Sequence, residues 1–232
     1  MTGRPSPSDY ETDPARFRAN VAAVERYSLV GDVHADVAER LRREDPGPVL
    51  DLGCGEGRLV GPLHDRGMAV VALDRALGML AAVPAPRVQA DAGCVPFPDG
   101  CFGGVAALYM LYHLPDPGRA IAESWRVLRP GGLFAACAPS RDNDPELAEV
   151  IPPSPGTFDA ENGPDLVRRR FTAVEVERWD APLTHLPDRD ALALYLRGRG
   201  CSAVEIDRAA ASVRLPLTLT KRGALIYGRK GC

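Results

Sequence analysis

Lysine is almost missing from this 232-residue chain. Lys221 and Lys230 are the only two, and arginine supplies the rest of 28 basic residues against 31 acidic ones, for a net charge of -3. That balance leaves no surplus of positive charge to neutralise a phosphate backbone, so a large nucleic-acid footprint is not expected and a small substrate is. Long apolar runs are lacking too. No stretch reaches eighteen apolar residues and the first thirty contain no continuous apolar segment, which points to a cytoplasmic protein with no signal peptide and no membrane partner. The six cysteines include no C-x-x-C pair, so neither a zinc site nor a disulfide framework follows, and no metal is expected.

What is present is an alternation of apolar runs and amphipathic stretches. Residues 1–9, rich in Pro, Ser and Gly without periodicity, read as disordered, and residues 10–232 as a single domain. Two amphipathic helices fill about 10–45, with Phe17, Val21, Val24, Val30, Val33, Val37 and Leu41 at helical spacing. From 46 to 138 the order is strand, helix, strand repeated: "PVLDLG", "AVVALD", "PRVQAD", "GGVAALYML" and "LFAACAP" read as strands with helices between them. Five strands so arranged form a doubly wound parallel sheet with its ligand at the carboxyl ends of the strands. The proline-rich stretch 139–163 reads as a substrate-side loop with few buried contacts. The part from 164 to 232 carries a helical insertion at 188–212 and ends in "LPLTLTKRGALIYGRK", either a pair of short strands or one bent strand. The N-terminal helices, the loop and the insertion are expected to act as a lid.

The densest signal is "VLDLGCGEG", three glycines in five positions after the first strand. A loop of this kind usually cradles a diphosphate. Here the spacing Gly53-x-Gly55-x-Gly57 breaks the dinucleotide pattern at Arg58, and Glu56 places a negative charge where a phosphate would lie. Asp51, Asp74 and Asp91 end or nearly end three successive strands. A carboxylate at the second position suits two vicinal ribose hydroxyls, and one at the third suits an exocyclic amine. The set fits an adenosine without phosphates and with a cationic tail, and S-adenosylmethionine meets that description.

Taken in order, "VLDLGCGEG", "VVALD", "QADAGCVPFPDGCFGGVAALYMLYHLPD" and "RVLRPGG" resemble the class I S-adenosylmethionine-dependent methyltransferases, in particular a bacterial methyltransferase-domain group with an LYHLPD-like element. The resemblance implies a Rossmann-like doubly wound sheet, mostly parallel with an antiparallel C-terminal strand, plus helical lid elements. It further implies that Gly53, Cys54 and Gly55 line the methionine part of the cofactor beside Asp51. Asp74 and Arg75 would lie at the ribose, Asp91 and Ala92 at the adenine, and Leu108 and Tyr109 at the fourth-strand end. Tyr112 and His113 would face the acceptor. His113 is the candidate general base, needed if the acceptor is a hydroxyl or a protonated amine, with loop capping as its structural counterpart. The expected reaction is methyl transfer to an O, N or C atom of a small molecule by a monomer or homodimer. An RNA methyltransferase and a non-methylating relative that retains the cofactor are the alternatives. A dehydrogenase is opposed by Glu56 and by the glycine spacing. Cys54 reads as a packing residue, His34 on the lid helix as a surface or internally satisfied residue, and Trp125, in phase with Ile121 and Leu128, as core.

Overall fold

The computed structural model describes residues 13–44 and 47–231. The expected disorder of residues 1–9 lies outside the described residues. In chain order the elements are α1 (Pro14–Tyr27), α2 (Val33–Glu44), β1 (Val49–Leu52), α3 (Val60–His64), β2 (Val70–Asp74), α4 (Leu77–Leu80), β3 (Arg87–Gln89), β4 (Phe102–Leu108), α5 (Pro117–Val127) and β5 (Leu128–Pro139). There follow α6 (Gly163–Arg168), β6 (Ala173–Leu186), α7 (Arg189–Gly198), α8 (Ala203–Ser212) and β7 (Leu217–Arg229). Val30, expected at helical spacing, instead lies exposed in the link between α1 and α2. Helix starts follow from local chemistry. Asp116 accepts from the amide of Gly118 at 3.0 Å with Pro117 opening α5, and Asp188 accepts from Ala191 at 2.9 Å to open α7. Ser202 and Glu205 form a reciprocal capping box at α8.

The sheet runs β3-β2-β1-β4-β5-β7-β6, with β1 to β5 parallel and β7 antiparallel to β5. This is the doubly wound parallel arrangement that the alternation of elements predicts, with the antiparallel C-terminal strand that the family resemblance implies. The order reverses between β1 and β4, so the open crevice of the sheet falls beyond the carboxyl ends of those strands. The C-terminal run is one long strand rather than a pair.

Two compact units emerge. The larger comprises 32–141, 155–178 and 223–232. Its core joins Leu50, Leu52, Val105, Phe134, Phe158 and Ile226, all buried, with the rings of Phe134 and Phe171 stacked at 5.2 Å. The segment expected to offer few buried contacts contributes Phe158 and Ala160 to this core, and Arg141 pairs with buried Asp159 at 2.9 Å. Trp125 is not core: it is 37% exposed, and the Lys230 ammonium lies 4.0 Å from its ring centroid. A cation over an indole face stabilises a position that helical phase alone assigns to the interior.

Among the described residues the smaller unit comprises 13–31, 142–154 and 179–222. Leu147, Leu186, Leu192, Leu196 and Leu219 pack there around Tyr195. Inside it, Asp144 in a left-handed conformation accepts from the Tyr195 hydroxyl at 2.6 Å and from the Lys221 ammonium at 2.5 Å. Burial holds Lys221 down to about 8, with the charge of Arg199 adding to the effect and Asp144 opposing it.

Candidate active site

β1 ends at Leu52, and the chain turns through Gly53, Gly55 and Gly57 at φ of 70°, 55° and 84°. Only glycine takes such angles without strain. At Gly53 the need is also steric, because a Cβ there would stand 2.8 Å from the Met110 side chain. The neighbouring strand shapes the turn: the amides of Gly53 and Cys54 both donate to the Leu73 carbonyl, at 2.7 and 3.0 Å. Asp74, at the end of β2, accepts from the Gly55 amide at 2.8 Å through one carboxylate oxygen and from Ala76 at 2.9 Å through the other. The carboxylate expected at a ribose therefore also clamps the glycine turn, with lone pairs left over for further donors.

Asp51 lies beneath this turn, paired in register with Ala72 and Ala106. It is 3% exposed, and among the described residues its Oδ2 has no hydrogen-bond partner. Burial pushes its carboxyl up to about 7, and the nearby charge of Asp74 adds to the shift. Cys54 is buried, donates weakly to the Gly55 carbonyl at 3.5 Å, and its thiol is pushed far up by burial, which suits packing rather than nucleophilic chemistry.

At the third strand, Asp91 is exposed and accepts from the Gly93 amide at 2.7 Å, beside buried Ala92. Arg126 stiffens the following loop by donating to the carbonyls of Val95 and Phe97, both at 2.8 Å. Arg75 is exposed, and its carbonyl accepts from the Gln89 amide group. β4 ends at buried Leu108, and Tyr109 turns the chain with φ of 56°, a left-handed conformation uncommon for a non-glycine residue and often found where function holds it. Tyr112 and His113 follow in a 3-10 turn, their rings 4.4 Å apart. Thr157 braces this turn by donating to the Leu114 carbonyl at 2.8 Å.

One cluster escaped the sequence reading. His34 is 7% exposed, the satisfied rather than the surface alternative, and its Nδ1 is hydrogen-bonded to Oδ1 of Asp32. Arg58, just after the glycine turn, donates to Oδ2 of the same carboxylate at 2.8 Å, and the His34 ring lies 6.4 Å from that of Tyr109. Burial raises the Asp32 carboxyl, but the bond to His34 and the charges of His34 and Arg58 outweigh it and hold the group well below the usual carboxylate range. The available signal was "GDVH", an Asp two positions before a His at the opening of an amphipathic helix.

Collected at one sheet edge are a glycine cradle, an orphaned buried carboxylate oxygen and two further carboxylates, with no group of three metal-binding side chains among the described residues. These donors and acceptors fit a cationic nucleoside lacking phosphates. No described helix is long and apolar enough to cross a membrane.

Comparison with known proteins agrees. The family described as "Methyltransferase domain" matches residues 50–136. Demethylmenaquinone methyltransferase of Renibacterium salmoninarum is 30% identical over 168 residues, 67% of each chain, and that of Mycolicibacterium paratuberculosis is 32% identical over 174 residues, 67% of this chain and 68% of that one. Among solved structures, a phosphoethanolamine N-methyltransferase of Haemonchus contortus in complex with phosphomonomethylethanolamine and S-adenosylhomocysteine aligns with a TM-score of 0.62 at 16% identity, covering 97% of this chain and 58% of that one. The matched span contains the glycine turn, the second-strand aspartate and the point where the strand order reverses, and the chain belongs to the class I S-adenosylmethionine-dependent methyltransferases of the methyltransferase-domain family.

Proposed function

We propose that this enzyme transfers the methyl group of S-adenosylmethionine to an O, N or C atom of a small-molecule acceptor in the cytoplasm, within a monomer or homodimer. The observation that carries the reading is the glycine turn, clamped by Asp74 above an unpartnered buried Asp51. The cofactor supplies an electrophilic methyl on a sulfonium, and the protein's part is to align the acceptor and exclude water.

In this reading Gly53, Cys54 and Gly55 offer backbone to the methionine part, and Asp51 faces its ammonium. Asp74 accepts from the ribose hydroxyls, flanked by Arg75. Asp91 and Ala92 hold the adenine, while Leu108 and Tyr109 wall the cofactor. Tyr112 and His113 shape the acceptor side. The net charge of -3 supports a small acceptor over RNA. Relatives named demethylmenaquinone methyltransferases make phenols and quinols the first acceptor class to try. The test is transfer of labelled methyl from S-adenosylmethionine to such compounds. A labelled small-molecule product is expected; labelled RNA with no labelled small molecule would overturn the proposal.

A further inference from the structure

We propose that His34, oriented by Asp32, is the general base that accepts the acceptor's proton during methyl transfer. The inference rests on the small-molecule reading above and narrows it to acceptors with an acidic hydroxyl, a phenol or quinol.

Part of the Asp32 geometry is ordinary capping, since the carboxylate also accepts from the His34 amide at 3.1 Å at the start of α2. A cap does not account for the rest. Oδ1 also accepts from the Nδ1–H of His34, and Oδ2 accepts from Arg58. With Nδ1 committed as donor, the neutral ring keeps its lone pair on Nε2, which makes no hydrogen bond among the described residues. A carboxylate that fixes tautomer and orientation and stabilises the imidazolium is the arrangement a histidine base requires.

Position gives the second line of support. The dyad is tied at two points to the sheet edge: to the glycine turn through Arg58, and to the end of β4 through Tyr109. Beside His34 stand Asp32 on its own segment and Tyr109 beyond β4, with Arg58 from the turn on the far side of Asp32 and with Tyr112 and Cys137 next to Tyr109 in turn. Burial raises the Tyr109 phenol well above its ordinary range and pushes the Cys137 thiol up to about 12, so both stay protonated at neutral pH. The imidazole is the member of this set that offers a nitrogen lone pair to a proton. In the step itself, the acceptor's hydroxyl oxygen bonds to the methyl carbon as the carbon–sulfur bond breaks. The electron pair stays on sulfur, leaving a neutral thioether, and the hydroxyl proton passes to Nε2 of His34 and then to solvent.

The experiment compares wild type, His34→Gln, Asp32→Asn and His113→Gln, with labelled S-adenosylmethionine and a panel of phenols and 1,4-naphthoquinols across about pH 5.5–9. Calorimetry with S-adenosylhomocysteine and thermal melting report cofactor binding and folding for each. His34→Gln is expected to lower kcat by about 100-fold or more and to abolish the rise of kcat with pH, while the S-adenosylhomocysteine Kd stays within about twofold. Asp32→Asn is expected to lower kcat less and to move that rise to lower pH, because the imidazolium loses its counter-charge. His113→Gln is expected to raise KM and keep the rise. Label transfer whose pH dependence survives in both dyad variants, or vanishes only in His113→Gln, overturns the inference alone. A wild type that binds S-adenosylhomocysteine yet labels none of the panel overturns the phenol–quinol assignment and this inference with it.

Discussion

Asp51 is a buried carboxyl whose ionisation works against the fold, and Asp51→Asn isolates that effect. In the unfolded chain the group ionises near an ordinary 3.8, whereas burial and the charge of Asp74 raise it to about 7 in the folded protein. Between those values the folded state holds a proton that the unfolded state has lost. Stability therefore falls as pH rises through this window, and the penalty is complete above the folded value. The full gap corresponds to about 4 kcal/mol, of which about 2–3 kcal/mol develops between pH 5 and pH 8. The amide side chain keeps the size of the group and cannot ionise. Urea unfolding at pH 5, 6, 7 and 8 should show the variant gaining on wild type by about that amount from the lowest pH to the highest. Parallel pH profiles would mean that Asp51 carries its charge comfortably in the fold, and would refute the argument from burial.

Asp74→Ala should weaken cofactor by about 1.5–3 kcal/mol in calorimetry and, because the carboxylate also holds the Gly55 and Ala76 amides, lower the melting temperature as well. Gly53→Ala combines an unfavourable φ with a contact at 2.8 Å to Met110, so loss of cofactor binding and a cost of about 1–3 kcal/mol are expected from binding and denaturation curves. Lys221→Met in the smaller unit leaves buried Asp144 without its closest cation; a loss of about 3 kcal/mol in chemical denaturation is expected, and a neutral result would show the network to be solvated. Cofactor binding near neutral pH should release protons as Asp51 ionises beside the ligand's cationic end, read as a dependence of the binding heat on the buffer's ionisation enthalpy.

The cofactor edge was legible in sequence because its signals are local. Apolar runs such as "VLDL" and "VVALD" mark strands, the glycines mark a turn of positive φ, and an aspartate at each strand end needs only the alternation of elements to place it. What stayed hidden depends on partners far along the chain. His34 is buried through a carboxylate also held by Arg58, 26 positions from Asp32, and no periodicity carries that information. Trp125 sits at a core phase of α5 but faces Lys230, which follows directly on the C-terminal strand. The acidic, proline-rich loop resembles a solvated segment, yet Asp144 finds Tyr195 and Lys221, and Phe158 enters the core. Composition reports the cost of burying such a carboxylate and not the cations that offset it.

The central claim is that the glycine turn and its aspartates hold a phosphate-free, cationic nucleoside. Calorimetric titration of the protein with S-adenosylhomocysteine and, separately, with NAD tests it most directly. The account predicts saturable binding of the sulfur nucleoside with a micromolar-range Kd, weakened by about tenfold or more in Asp74→Ala, and no heat with NAD. Tight NAD binding with no response to S-adenosylhomocysteine would contradict it.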